Sequence, residues 1–168
     1  VAIDYREKAP IKAHSKMYLD ANGERARNEN VTIRDFRSGE MVHPYTNRVH
    51  HLAIGVPGTV AGFAVALERY GTMSMKDVVQ PAIDLAEKGH ILTARYARGL
   101  NGRAAIFNQI PASKKAMLRA DGEEWNEGDR WVQKDLAETL KRIAEDGHDG
   151  FYGGKTAELI EKDMMAHG

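Results

Sequence analysis

The stretch Leu52-Ala-Ile-Gly-Val-Pro-Gly-Thr-Val-Ala-Gly-Phe-Ala-Val-Ala-Leu67 decides the architecture of this chain. Leu52 to Val56 is a short apolar run that fits a buried strand. Pro57-Gly58-Thr59 follows with the residues of a turn and an N-cap, and Val60, Phe63, Ala64 and Leu67 then recur at i, i+3, i+4 and i+7, one apolar stripe of a helix. Tyr70-Gly71 ends it, because glycine readily releases a helix C-terminus.

Helical patterning continues downstream. Ser74 is placed to cap a second helix, while Pro81 suits the first turn of a fresh helix better than the interior of an existing one, so a break is expected near Gln80. Ala82, Leu85 and Ala86 line one side of the next piece, and Gly89 stands at its end. Ala94 to Leu100 reads as another short helix. Asp121 to Arg130 carries five acids against one Arg, punctuated by Gly122 and Gly128, the make-up of a solvated surface hairpin or loop. Leu136, Ala137, Leu140, Ile143 and Ala144 form a helical stripe, with Glu138 and Arg142 paired outside it and Gly147 closing the segment. Ala157, Ile160 and Met164 repeat the pattern from Lys155 to the end.

Upstream the character changes. Val1, Ile3 and Tyr5 alternate with Ala2, Asp4 and Arg6, a period of two that predicts a short strand ended by Ala9-Pro10, with Asp4 and Arg6 on one face. Lys16 to Asp20 suits a second short strand, and Asp20-Ala-Asn-Gly23 has turn residues. From Glu24 to Arg48 four acids and five bases accompany few apolar residues and no sustained period, as in an exposed loop or insertion. The chain thus divides into a strand segment over 1–20, a polar insertion over 24–48 and a mainly helical region over 52–168. A mainly α segment with a few short strands is the expected fold class.

The 168 residues include 24 Lys+Arg and 24 Asp+Glu, a zero formal charge without the basic footprint of a nucleic-acid binder. That leaves small molecules and proteins as partners. With no cysteine there is no disulfide framework, thiolate metal site or cysteine nucleophile. No apolar run approaches the roughly 18 residues that span a bilayer.

Few residues carry chemistry by spacing alone. Gly55-Val-Pro-Gly58-Thr-Val-Ala-Gly62 joins a strand to a helix, where free N–H groups can hold an anion, yet it matches neither the dinucleotide nor the Walker pattern. Glycines serving a tight turn and close packing account for it better. His50 and His51 are sequence neighbours without further ligands at metal-binding spacing, so no metal is expected. No Gly-x-Ser-x-Gly is present, and Glu123-Glu124 sits in a solvated turn that leaves both acids ionised. Arg6, flanked by Asp4 and Glu7, could offer a pre-oriented planar fork to a substrate carboxylate, although spacing alone favours a structural ion pair.

Four segments in order carry a resemblance: Asp4-Tyr-Arg-Glu-Lys-Ala-Pro10; Gly55-Val-Pro-Gly-Thr-Val-Ala-Gly-Phe63; Pro81-Ala-Ile-Asp-Leu-Ala-Glu-Lys-Gly89; and Asp135-Leu-Ala-Glu-Thr-Leu-Lys-Arg-Ile-Ala-Glu-Asp-Gly147 followed by Phe151-Tyr-Gly-Gly154. Together they resemble the γ-glutamyltranspeptidase family from the first residues to the last, most weakly over 24–48 and 103–130. The resemblance implies an N-terminal-nucleophile hydrolase of αββα fold, made as a precursor that cuts itself into a large and a small subunit. Residues 1–168 would be part of the large subunit. The nucleophile would be a Thr leading the small subunit, which is the implied partner; neither Thr59 nor Thr93 matches its motif, and no catalytic residue is assigned here.

One functional position carries over. The Arg of the family's Asp-x-Arg-Glu-x-Ala-Pro segment, which grips the α-carboxylate of a γ-glutamyl group, matches Arg6, with Asp4 and Glu7 as supports. The resemblance implies glutathione or other γ-glutamyl compounds as substrates, no cofactor, no metal, and export to the periplasm or cell surface directed by a signal upstream of Val1. Related acylases acting on β-lactam side chains or poly-γ-glutamate, and a non-catalytic helical interaction domain, are the competing readings.

Overall fold

Small side chains at helical spacing let two helices of this chain approach closely, and the rest of their unit is arranged around that contact. The computed structural model describes residues 1–35 and 37–167; Phe36, within the 24–48 stretch expected to be a polar insertion, and Gly168, within the 52–168 stretch expected to be mainly helical, lie outside the described residues. In chain order the elements are β1 (Ile33–Arg34), β2 (Met41–Val42), a 3-10 turn at His51–Ala53, α1 (Thr59–Tyr70), α2 (Met75–Lys88), β3 (His90–Ile91), α3 (Ala94–Asn101), α4 (Ala104–Phe107), α5 (Pro111–Met117), β4 (Arg130–Trp131), α6 (Lys134–Asp146), α7 (Asp149–Tyr152) and α8 (Gly154–His167). The chain is mostly helical with a few short strands: β1 and β2 pair antiparallel with Ile33 opposite Val42, and β3 and β4 form a second two-stranded sheet. Two compact units emerge, one from Val1–Ala13, Ile54–His90 and the chain from Val132 on, the other from His14–Ala53 and Ile91–Trp131.

In the first unit α2 packs along α6, burying Ile83 and Ala86 of one helix and Ala137 and Ile143 of the other. Ser74 caps α2 in a capping box: its Oγ accepts from the Asp77 N–H at 3.1 Å, and the Asp77 carboxylate accepts from the Ser74 N–H at 3.4 Å. The expected break at Gln80 is absent. Pro81 lies inside one continuous α2, whose cap and buried Ile83–Ala86 turn hold the helix through the missing proline N–H. Leu85 and Leu136, both expected on apolar stripes, are 55% and 43% exposed, so the burying faces are rotated toward the smaller alanines. The expected Glu138–Arg142 pair is also replaced. Lys141 bonds both Glu138 at 2.9 Å and Glu87 of α2 at 2.5 Å, while Arg142 turns to Thr139 and to the buried Thr156 of α8.

Two expected strands of this unit are corrected. Val1 to Glu7 carries no ladder, and Leu52 to Val56 is a 3-10 turn followed by an exposed Ile54 and Val56. A single antiparallel bridge, Lys8 to Val56, is the ladder that exists between them, because Pro10 lacks the N–H that the next pair would use on one side and the chain enters α1 at Gly58 on the other.

The second unit buries Leu92, Ala97, Leu100 and Val31. The Asp20–Gly23 turn forms as expected, Asp20 accepting from the Asn22 and Glu24 N–H groups, both at 2.9 Å. Lys16 to Asp20 is not a strand but a series of turns with one bridge, Leu19 to Arg25. The 24–48 excursion is more ordered than a loop. It contains the β1–β2 hairpin, a bridge from Arg27 to Tyr45, a buried Thr46, and the Tyr45 ring beneath the guanidinium groups of Arg25 and Arg27 at 3.9 and 4.3 Å. Cation–π contacts here add to the packing around the buried Val31.

The acidic 121–130 turn is organised by one cation. Arg119 bonds Asp121 at 2.6 Å and Asp129 at 2.7 Å, and Trp125 donates its indole N–H to the Met117 carbonyl at 2.8 Å. The Arg119 bond, aided by the Glu123 backbone N–H, lowers the Asp121 carboxyl to about 2. The Asn126 N–H, then Arg119, hold Asp129 below the usual carboxylate range.

Candidate functional site

Arg6 sits on an extended segment fixed against the start of α1. The Lys8 N–H donates to the Val56 carbonyl at 3.0 Å and the Val56 N–H returns a bond to Lys8 at 2.8 Å. One turn further on, glycines make room for the segment. A Cβ on Gly58 would overlap the Tyr5 carbonyl oxygen and stand 2.7 Å from that of Arg6, and a Cβ on the buried Gly62 would overlap the Tyr5 side chain. The glycine-rich stretch is therefore a packing device, as its spacing indicated, and what it packs is the segment that carries Arg6.

The side chain itself stands in solvent. The Arg6 side chain is 84% exposed and its guanidinium bonds Glu7 through Nη2 at 2.8 Å, while the Arg6 backbone N–H donates to Asp4 Oδ1 at 3.2 Å. The Glu7 bond raises the Arg6 pKa, and the Glu7 backbone N–H together with Arg6 holds the Glu7 carboxyl low, so both groups are charged at neutral pH. Solvent screens such a pair, which makes it a device for orientation rather than stability. The guanidinium retains donors for a second, incoming carboxylate. Arg6 lines an open cleft of about 320 Å³ with Asp4, Tyr5, Val65, His148 and Tyr152.

Tyr152 completes the wall. Its hydroxyl donates to the Pro57 carbonyl at 2.7 Å and accepts from the Ala61 N–H at 3.2 Å, and its ring stacks on His148 with centroids 4.6 Å apart. α7, which presents it, is seated on α6: Gly150 is buried, and a Cβ there would overlap the Arg142 carbonyl oxygen. Thr156 donates to the Gly150 carbonyl at 2.8 Å and accepts from Arg142 Nε at 2.8 Å.

The structure brings Arg6, Asp4 and Glu7 together, with Thr59 lining a second open cleft beside Arg6 and Glu7. Thr59 is the first residue of α1, and Thr93 spends its hydroxyl capping α3, accepting from the Tyr96 N–H at 3.4 Å. The His50 and His51 rings meet edge-on at 6.3 Å. A larger cleft in the second unit, about 510 Å³, is lined by Arg95, Tyr96, Arg103, Phe107 and Trp131 without a carboxylate or imidazole for acid–base work. Among the described residues no helix is long and apolar enough to cross a membrane. Tyr152 and Thr156 were not singled out by spacing, and Arg142 was only as the expected partner of Glu138. Tyr152 lay in a quoted motif, but no local signal ties a hydroxyl to a carbonyl 95 residues away.

The family model for gamma-glutamyltranspeptidase matches residues 1–168. The chain is 40% identical over 99% of its length to the glutathione hydrolase proenzyme of Escherichia coli K12, covering 26% of that protein, and 36% identical over its whole length to the acylase ACY 1 proenzyme of Pseudomonas sp. strain V22, covering 28%. The crystal structure of Helicobacter pylori gamma-glutamyltranspeptidase superposes on 98% of the chain and is covered to 42%, with a TM-score of 0.84 and 40% identity. The chain thus spans about a quarter of the length of the curated relatives it matches. On the full-length family match and these identities, the chain belongs to the gamma-glutamyltranspeptidase family.

Proposed function

We propose that the complete protein is a γ-glutamyltransferase and glutathione hydrolase with the N-terminal-nucleophile αββα fold, and that residues 1–168 are part of its large subunit. It is made as a precursor that cuts itself, and the Thr nucleophile leads the small subunit, its partner. Within this chain Arg6 binds the α-carboxylate of the γ-glutamyl group. The observation that carries this reading is a guanidinium with a fixed backbone, one carboxylate partner and its remaining donors in solvent. Such a fork fixes the glutamyl end, so that the γ-carbonyl meets a nucleophile supplied elsewhere in a set orientation. The protein acts in the periplasm or at the cell surface, on glutathione or related γ-glutamyl compounds.

The 36% identity to an acylase proenzyme favours one other reading, an acylase of the same fold with a different acyl group. Anilide release from a γ-glutamyl anilide by the full-length gene product, beside its Arg6→Ala form, separates the two. Loss of one charge-assisted hydrogen-bonded pair predicts a KM raised about 10- to 100-fold, with self-cleavage intact. Self-cleavage without anilide release would hand the function to the acylase reading, and release untouched by the substitution would remove Arg6 from the site.

A further inference from the structure

α1 begins at an N-cap that has no side chain. Gly58 occupies that position because a Cβ would run into the Tyr5 and Arg6 carbonyls, so no Ser, Asp or Asn can accept there from the first turn. An unpaired N–H at a helix start is normally met by a side-chain oxygen. Here the Ala61 N–H, third in the helix, donates at 3.2 Å to the Tyr152 hydroxyl, which in turn donates a hydrogen bond to the Pro57 carbonyl at 2.7 Å. One hydroxyl thus pins both sides of the turn against which the Tyr5–Arg6 backbone lies.

We propose that Tyr152 is a positioning residue for Arg6: it replaces the N-cap that Gly58 cannot supply, and so holds the Pro57–Ala61 turn in the shape that sets the Arg6 guanidinium. The inference rests on the reading of Arg6 as the carboxylate-binding residue. The seat of Tyr152 is itself rigid, since Arg142, Thr156 and Gly150 fasten α7 to α6 and α8. A hydroxyl held from a second element resists displacement better than a cap on a flexible loop, which suits a group whose task is geometry.

The test compares the full-length gene product with its Tyr152→Phe, Arg6→Ala and doubly substituted forms, using a γ-glutamyl anilide and a second anilide whose acyl group lacks the α-carboxylate. Tyr152→Phe keeps the ring stack and removes only the two hydrogen bonds. Loss of a helix cap corresponds to about a fivefold effect, expected as a rise in KM for the γ-glutamyl substrate with kcat within twofold. The same substitution should leave the carboxylate-free substrate unaffected, and should add nothing in the Arg6→Ala background. An equal loss on both substrates, or a full additive loss in the double variant, would show a merely structural role and overturn the proposal. A KM effect in Arg6→Ala with none in Tyr152→Phe overturns the role of Tyr152 alone. No effect in either overturns the carboxylate reading of Arg6, and this inference with it.

Discussion

Gly58 is the residue on which the site's geometry depends most directly, because the space a Cβ would need is filled by backbone oxygen atoms rather than by a movable side chain. Gly58→Ala is expected to cost about 1–3 kcal/mol of stability as the segment is forced outward, and to raise KM for γ-glutamyl substrates in the full-length protein. Gly122 offers the contrasting case. It has φ +82 with nothing within 4 Å of a Cβ, so Gly122→Ala should cost about 1 kcal/mol through backbone strain and leave KM unchanged. Thermal melting together with steady-state kinetics on the two variants distinguishes a glycine needed for close approach from one needed for its dihedral angle. At Arg6, Lys keeps the charge but not the planar fork, and Arg6→Lys should fall between the native protein and Arg6→Ala in KM.

α2 is held at its start by Ser74 and Asp77 and in its middle by packing on α6, which is how it runs through Pro81. Ser74→Ala removes the side-chain half of the capping box, the Oγ that accepts from the Asp77 N–H, and should lower stability by about 1 kcal/mol, read as a fall in melting temperature with activity unchanged below it. The Arg119 loop responds to acid instead. Asp121 is held at about 2, below its unfolded value of about 4, so its contribution is present above pH 4 and is lost as the pH falls from about 4 through about 2. Asp129 is lowered in the same direction and adds to the same slope. Arg119→Gln should therefore flatten the dependence of melting temperature on pH across that window, while a slope equal to the native one would show that these bonds do not form in solution.

The chain as a whole leaves large apolar side chains in solvent, among them Ile54, Phe63, Tyr70 and Leu85. Produced alone, residues 1–168 are expected to give a helix-dominated circular dichroism spectrum and, on the proposal that the Thr nucleophile leads the small subunit, no release of anilide. A spectrum dominated by strand would contradict the fold, and turnover by the isolated chain would contradict the division of roles between the subunits.

Periodicity in the sequence was sufficient for α1, α3, α6 and α8, and for the ends of α1, α2 and α6 at Gly71, Gly89 and Gly147, since helix signals are local and repeat every turn. Spacing alone left Arg6 an ordinary ion pair; the resemblance carried by the ordered motifs is what singled it out, with Asp4 and Glu7 beside it. Alternation at Val1 to Tyr5 misled because a strand needs a partner, and here only Lys8 finds one. Hydropathy misled over 24–48 because Val31 is the segment's one buried aliphatic side chain among the described residues, and Tyr45 with two arginines adds contacts that hydropathy does not count. The continuity of α2 through Pro81, the turn of Arg142 toward Thr156, and the reach of Tyr152 to Pro57 and Ala61 were decided only by tertiary structure. Each depends on a contact between residues far apart in the chain, and no local pattern encodes the distance that folding closes between them.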